Sequence, residues 1–425
     1  MKVVLIGAGG RENALAYKIA QSIKLSELFI CPGNPGTEKY GKNITLKNDD
    51  QIVEFCLQNK IDLVVIGPEQ PLVDGLADKL RDVNIAVFGP DKKAAIIEGD
   101  KSFSKELMLK YNIPTSKYAS FNKETLDNAL AYIQKSDFPL VIKASGLAAG
   151  KGVIICNNFA EAENCAKDML TNNAFGKAGE NIVIEEFLEG EEASIFAITD
   201  GTDFLVLPSA QDHKRVFDND KGKNTGGMGA YSPAPLITKE LEKKIIETII
   251  KPTINAMNNE GRTFVGCLYC GLMINNGIAK VIEFNCRFGD PETQVVLPLL
   301  DGDFLELLYS SAIKKINKDA VNFSGGSALC VVLASGGYPD DYKSGYEIFG
   351  INEIEDKDVI VFHSGTKSVN NKILTSGGRV LGVTAKTNQN NLAECKNKCY
   401  NAVSKIKFNN MHYRKDIGDK GIKYY

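Results

Sequence analysis

An acid, an amide and a guanidinium recur two residues apart in the segment 280–294, as Glu283, Asn285 and Arg287. Where such a segment opens as a strand, side chains alternate between two faces. These three then share one face, and Ile282, Phe284 and Cys286 point the other way into a core. Oxygen donors beside a guanidinium suit a hard cation held together with an anion. Mg²⁺ takes oxygen ligands and keeps company with phosphates, while Arg grips carboxylate or phosphate oxygens in a bidentate fork. Gly289-Asp290-Pro291 turns the chain toward a helix, with Asp290 as N-cap and Pro291 at the first helical position. A solvated strand whose Arg and Glu merely pair has the same pattern, so the segment needs support from elsewhere.

Other stretches carry polar chemistry. Lys143 sits on a strand between Ile142 and Ala144 and leads into Gly146-Leu147-Ala148-Ala149-Gly150-Lys151-Gly152. This glycine hairpin is not a Walker loop, because its spacing is one residue short and Gly152 stands at the metal-binding Ser/Thr position. Backbone N–H groups and one lysine can still fold over phosphates. The strand through Glu185, Glu186, Phe187 and Leu188 ends in an acidic turn with Glu191 and Glu192, which fits a purine edge and ribose hydroxyls or simply a solvated edge. Gln211-Asp212-His213-Lys214-Arg215 and the run from Asn224 to Tyr231 are too particular in composition for spacers. His213 is one of three histidines far apart in sequence, so metal chemistry must rest on oxygen.

The elements that position these residues begin with a βαβ pattern. Apolar strands at Val3-Ile6, Leu28-Cys31, Leu63-Ile66 and Ala86-Phe88 alternate with helical segments, which implies a parallel sheet covered on both faces. Three loops gather at one edge of that sheet: Gly9-Gly10-Arg11, the loop 33–37 with Asn34, Gly36 and Thr37, and Gly67-Pro68-Glu69. Open α/β sheets bind ligands there, and a glycine turn against a helix N-terminus suits a phosphate. The first loop fails the dinucleotide fingerprint. Glu12 stands where the third glycine belongs, and no ribose acid follows the second strand. From about residue 101 the pattern becomes α+β, and a smaller region of strands and turns closes the chain. We expect an N-terminal α/β domain at 1–101, a central domain at 102–325 with a flap subdomain at about 115–190, and a C-terminal α+β domain at 326–425.

Bulk properties narrow the function. A chain of 425 residues exceeds what one core usually supports. A net charge of -3 supplies no basic field for nucleic acid. No apolar run reaches the length of a membrane span, and the N-terminus reads as a first strand. The ten cysteines are sparse and irregular, with a lone C-x-x-C at Cys267 and Cys270, and read as reduced thiols in a cytoplasmic protein.

Taken together, Gly9-Gly10-Arg11-Glu12, Pro32-Gly33-Asn34, Gly67-Pro68-Glu69, the segment 143–153, Gln211-Asp212-His213-Lys214-Arg215, the segment 224–231 and Arg287-Phe288-Gly289-Asp290-Pro291-Glu292 resemble the phosphoribosylamine–glycine ligases. These are ATP-grasp enzymes of purine biosynthesis, and the resemblance runs end to end. It implies that ATP phosphorylates the carboxylate of glycine and that 5-phosphoribosylamine attacks the resulting acyl phosphate. Glu283 and Asn285 would hold Mg²⁺ or Mn²⁺, and Arg287 would stabilise the transferred phosphoryl group or the developing oxyanion. Lys105 and Lys143 would contact ATP phosphates, under a flap containing Gly150, Lys151 and Gly152. Glu185, Glu186, Phe187 and Leu188 would receive adenine, and Glu192 the ribose, with Glu191 as its rival. Arg215 and Asn224 match positions near phosphates and metal. Asp212, Arg287 and the loops bearing Gly9, Gly10, Arg11, Asn34, Gly36, Thr37 and Glu69 would meet the small substrates, with Arg379 and Arg414 as further candidates for the substrate phosphate.

Asn13 departs from the family's usual His, Ser145 from a frequent Asp, and the tail after Ile417 from its aromatic-arginine pattern. We expect a monomer, with neither nucleic-acid nor membrane partners. Other readings are a different carboxylate–amine ligase acting on a related ribonucleotide, a silent ATP-binding relative, which should have lost these residues, and a nicotinamide oxidoreductase, which the incomplete fingerprint disfavours.

Overall fold

The computed structural model describes residues 1–148, 152–172 and 174–424. Its first unit is a parallel sheet of β1 (Lys2–Gly7), β2 (Glu27–Pro32), β3 (Lys42–Asn43), β4 (Leu63–Ile66) and β5 (Ala86–Phe88), in the order β3-β2-β1-β4-β5. The helices α1 (Gly10–Ile19), α2 (Asp49–Asn59), α3 (Glu69–Asp74), α4 (Leu76–Asp82) and α5 (Lys92–Gly99) connect or follow the strands. The continuous apolar run of β1 is explained by burial on both faces. Val4 and Ile6 join one core, while Val3 and Leu5 join another on the opposite side.

Glu12 occupies the crevice that a bound phosphate would use in a dinucleotide fold. Its Oε2 accepts from the Gly9 N–H at 2.6 Å, and its Oε1 accepts from Arg11 Nε at 2.6 Å. Gly7 and Gly67 make room for it, since a Cβ at either position would lie within 2.4 Å of its side chain. A side chain at the third-glycine position has therefore turned inward and capped its own helix.

The second unit begins with α6 (Lys101–Lys110). A four-stranded antiparallel sheet follows, built from β6 (Tyr118–Asn122), β7 (Leu140–Ala144), β8 (Val153–Cys156) and β9 (Asn181–Glu186) in the order β6-β9-β7-β8. Helices α7 (Leu126–Gln134) and α8 (Phe159–Leu170) share a core with it through Ala129, Ile133, Ala162, Ala166 and Met169. The chain then forms β10 (Glu191–Thr199), β11 (Phe204–Val206), β12 (Gln211–Asp212), β13 (Arg215–Phe217), β14 (Lys221–Asn224) and β15 (Gly229–Ser232). After a helical run at 239–259 come β16 (Gly266–Asn275) and β17 (Ile278–Asn285), which complete a second antiparallel sheet in the order β11-β10-β16-β17.

The third sheet crosses the boundary expected near residue 326. β12 and β15 join it from the central region, β15 pairing with the strand Ser327–Ser335, which in turn pairs with Arg379–Thr387. The loop 213–228 is thereby held between the central and C-terminal regions. All ten cysteines are buried and free. Among the described residues, no helix is long and apolar enough to cross a membrane.

Candidate active site

A cavity of about 480 Å³ lies between the two antiparallel sheets of the central unit and opens toward Arg11 and Glu69 of the first unit. Strand register explains its polar floor. Ser194 pairs with Gly271, which pairs with Glu283, and Phe196 pairs with Tyr269, which pairs with Asn285. Alternation along three strands thus brings Glu192, Ser194, Tyr269, Glu283 and Asn285 to one face.

The signature segment differs from its expected geometry in two places. A bulge opposite Gly271 and Leu272 inserts Ile282 as an unpaired residue, so Val281 is fully buried and Ile282 lines the cavity instead of the core. Lys143 Nζ donates to the Ile282 carbonyl at 3.2 Å. Asp290 is not a helix cap, because the helix begins at Thr293 with Glu292 before it. The Asp290 carboxylate instead accepts from Gln294 Nε2 at 2.7 Å and Arg379 Nη2 at 3.0 Å.

On the opposite wall, Glu185 of β9 collects both expected phosphate lysines. Its Oε2 lies 2.9 Å from Lys105 Nζ and its Oε1 2.9 Å from Lys143 Nζ. Ser116 donates to Glu185 at 2.7 Å and receives Lys105 at 2.7 Å. Burial raises the Glu185 pKa, but Lys143 and Lys105 outweigh it and hold the carboxyl below its ordinary value. Burial pulls Lys105 down to about 8 despite its pairing with Glu185. Glu185 is thus a holder of lysines rather than an open adenine contact. Val141, Ile155, Met108, Leu188 and Met273 supply an apolar slot beside it.

Glu283 has no cation within ion-pair distance among the described residues. Burial favours its neutral form, yet Lys214, Lys143, Lys101 and Arg287 together keep its pKa low. Asn285 is best oriented with its amide nitrogen donating to Phe284 O and Glu98 Oε1, each at 3.2 Å, which turns its oxygen away from both. A free carboxylate and a free amide oxygen on one strand face fit a hard cation. Among the described residues, no three His, Cys, Asp or Glu side chains gather closely enough to hold an ion alone. Two protein oxygens completed by phosphate oxygens is the donor set this leaves.

Arg287 extends past the end of β17 to the junction with the first unit. Its Nε lies 3.1 Å from Glu69 Oε2 and its Nη2 3.0 Å from Glu98 Oε1. Burial works against its charge, but Glu98 and Glu69 more than compensate and raise its pKa. Arg11 Nη1 also approaches Glu69, at 3.8 Å.

The remaining expected residues divide by location. Lys105, Lys143, Gly152, Glu185, Glu186, Phe187, Leu188, Glu192, Asp212, Asn224 and Arg379 line the cavity together with Arg11, Glu69, Glu283, Asn285 and Arg287. Gly150 and Lys151 lie outside the described residues. Glu192 reaches the cavity and pairs with Lys214 at 2.6 Å. Its rival Glu191 is occupied by Tyr424 Oη at 2.7 Å and Gln211 Nε2 at 3.3 Å.

Several expected substrate contacts have other partners. Gly9, Gly10, Asn34, Gly36 and Thr37 do not line the cavity. Asn34 donates to Ala8 O and His363 O at 2.8 and 2.9 Å and accepts from the N–H of Gly36 and Thr37. Asn13 accepts from the His363 N–H at 2.6 Å, so this departure from the family pattern ties the first unit to the C-terminal region. Arg215 donates to Gly222 O at 2.7 Å, away from the cavity. Arg414, expected at a substrate phosphate, is fully buried; Asp416, Asp220 and the Arg215 carbonyl take its donors. Arg379 lines the cavity, but it donates to Asp290 O at 2.7 Å and Gly226 O at 2.5 Å besides the Asp290 carboxylate.

Glu98, Lys101 and Tyr269 also line the cavity and were not singled out from sequence, while Lys214 and Glu292 stood within the quoted motifs without a role of their own. Lys214 had a usable signal, since it is two residues from Asp212 on an extended segment. Glu98 and Lys101 have none, as only folding brings the end of α5 and the start of α6 to the signature strand.

Comparison with known proteins agrees with this geometry. Residues 1–98 match the phosphoribosylglycinamide synthetase N domain, 99–293 its ATP-grasp (A) domain and 328–420 its C domain. The chain is 46% identical to a phosphoribosylamine–glycine ligase of Clostridium acetobutylicum over 420 residues, covering 98% of this chain and 99% of that one. It is 46% identical to a ligase of the same name from Escherichia coli O6:H1 over 428 residues, covering 99% of each. Among solved structures, the phosphoribosylamine–glycine ligase of Thermotoga maritima superposes with a TM-score of 0.85 at 32% identity, covering 98% of this chain and 100% of that one. The biotin carboxylase domain of Hydrogenobacter thermophilus 2-oxoglutarate carboxylase shares the fold, with a TM-score of 0.74 at 15% identity over 100% of this chain and 98% of that one.

Proposed function

The chain belongs to the phosphoribosylglycinamide synthetase family and carries out the ATP-dependent ligation of glycine to phosphoribosylamine in purine biosynthesis; we propose that it does so through glycyl phosphate, made and consumed in the cavity between Lys105, Lys143, Glu283 and Arg287. A glycine carboxylate oxygen attacks the γ-phosphorus of ATP, a P–O bond forms, and the β–γ bridge breaks to release ADP. The ribosylamine nitrogen then attacks the acyl carbon, the C–O bond to phosphate breaks, and the nitrogen gives up a proton as the amide forms.

The observation that carries this reading is the placement of two buried lysines on Glu185 across one cavity from the unpaired Glu283 and Asn285. Lys105 and Lys143 bind transferred and leaving phosphate oxygens, and Glu185 supplies the counter-charge that makes burying them tolerable. Glu283 and Asn285 would hold Mg²⁺ or Mn²⁺, which when bound neutralises phosphate charge. The Hydrogenobacter thermophilus domain was solved with MgADP and bicarbonate, which supports a nucleotide with a cation in this fold. Glu192 accepts from the ribose, and the slot around Val141, Ile155 and Leu188 takes adenine. Arg287, held between Glu69 and Glu98, orients its guanidinium where charge develops during both transfers. Arg11 and Glu69 form the rim that receives phosphoribosylamine. The active species is a cytoplasmic monomer with only small-molecule partners.

The test is ADP release with glycine, Mg-ATP and phosphoribosylamine generated in situ, omitting each in turn. Amide product and ADP formed only with all components support the reading. Turnover that requires another amino acid or another ribonucleotide contradicts it.

A further inference from the structure

Three consecutive residues of the signature segment turn to one acid that lies outside it. Glu98 sits in the last turn of α5, on the buried face that also carries Ala94, Ala95 and Ile97. Its Oε2 accepts from the Cys286 N–H at 2.7 Å. Its Oε1 lies 3.0 Å from Arg287 Nη2 and accepts from the Asn285 amide nitrogen at 3.2 Å. Burial raises the Glu98 pKa and Arg287 pulls it down, with Glu69 adding to the rise and the Cys286 N–H opposing it. The last turn of a helix is also the unfavourable end for an anion. Burial and helix dipole thus both oppose a carboxylate at this place, and the donors of 285–287 offset that cost.

The contact with Asn285 has a direction. An ionised carboxylate only accepts hydrogen bonds, whereas an amide has one accepting and one donating end. Phe284 O, 3.2 Å from the same amide nitrogen, is likewise an acceptor. Turning the amide over would set its oxygen against two acceptors and put N–H groups where the oxygen had been. A hard cation is held by the oxygen and repelled by the N–H end.

We propose that Glu98 is a positioning residue of the metal site, fixing the Asn285 amide with its oxygen free for the cation. This rests on reading Glu283 and Asn285 as the metal ligands. Glu98 acts through Asn285, since three donors of 285–287 already occupy its own oxygens. The first unit thereby sets the polarity of a site whose two ligands both belong to the central one. Groups that orient a ligand from behind commonly carry about a 10- to 100-fold share of metal affinity. An acid that merely held β17 in place would be indifferent to which end of residue 285 faced it.

The test reads the gain in ATP affinity that Mn²⁺ confers, by calorimetry with and without the cation. Glu98→Gln keeps the shape of the side chain. Its carbonyl oxygen can still accept from the Cys286 N–H, which leaves its amide donor facing Asn285 and favours the turned-over amide. The gain should fall about tenfold or more, with metal-free ATP affinity and melting temperature showing that the fold persists. In an Asn285→Asp background either carboxylate oxygen can face the cation, so adding Glu98→Gln should leave the gain within about twofold. Glu98→Ala, which frees the amide without inverting it, gives the same comparison should the Gln variant not fold. An unchanged gain in Glu98→Gln, or an equal loss in the Asn285→Asp background, overturns the positioning role. A gain that survives Glu283→Ala instead overturns the metal-site reading itself.

Discussion

Arg287 Nε lies 3.1 Å from Glu69 Oε2, joining the start of α3 in the first unit to the end of the signature strand across 218 residues of chain. The same guanidinium reaches Glu98 at 3.0 Å, so it is held from two sides at the mouth of the cavity. Glu69→Ala should leave Arg287 anchored by Glu98 and the fold intact. We expect a rise of about tenfold in the phosphoribosylamine KM, the scale of one lost charged contact, with the ATP KM unchanged. Steady-state kinetics with each substrate varied in turn checks this. A change confined to ATP would place Glu69 on the wrong substrate.

Arg414 is predicted to act on stability alone. Its side chain is fully buried and satisfied by Asp416 and Asp220. Arg414→Ala leaves Asp416 without its cation and Asp220 with Lys420 alone, and should cost about 3 kcal/mol, read by denaturant unfolding. The phosphoribosylamine KM of the folded protein should be unaltered. A raised KM at full stability would restore Arg414 as a phosphate ligand.

The contrast between Arg287 and Arg414 shows what the sequence could convey. Both stand in polar, motif-like surroundings, and only one reaches the cavity. Alternation along 280–287 correctly put Glu283 and Asn285 on one face, because period two follows from strand geometry. It misplaced Ile282, because the bulge is set by the pairing of β17 with β16, a relation between distant segments. The parallel sheet of the first unit was legible in its apolar runs. The inward turn of Glu12 was not, since it needs the space that Gly7 and Gly67 leave from two other loops. Likewise Asn34 looked like a ligand-binding loop residue until the backbone of His363 was found against it.

Acid should destabilise the protein through two buried histidines. Burial lowers His213 to about 3 and His363 to about 4, with Arg414 and Lys420 adding to the first and Lys39 to the second. Both are neutral in the folded state, so their contribution is intact above the unfolded value near 6.5 and is lost as pH falls below it. Each should cost about 2 kcal/mol between pH 6.5 and 5. Unfolding midpoints across that range check this, and His363→Gln should flatten part of the slope.

ATP affinity should fall as pH rises through about 8, where unliganded Lys105 loses its proton. Phosphates favour the charged lysine, so binding above that pH takes up a proton. Calorimetric titrations in buffers of different ionisation enthalpy would detect the uptake. A flat affinity between pH 7 and 9.5 would remove Lys105 from the phosphate site.

The central claim is that a glycine carboxylate oxygen leaves with the phosphate. Glycine labelled with ¹⁸O at both carboxylate oxygens, turned over once with Mg-ATP and phosphoribosylamine, tests this directly. The account predicts one labelled oxygen in the inorganic phosphate and the other in the amide carbonyl, with none in ADP. Unlabelled phosphate would mean that no glycyl phosphate forms, and would contradict it.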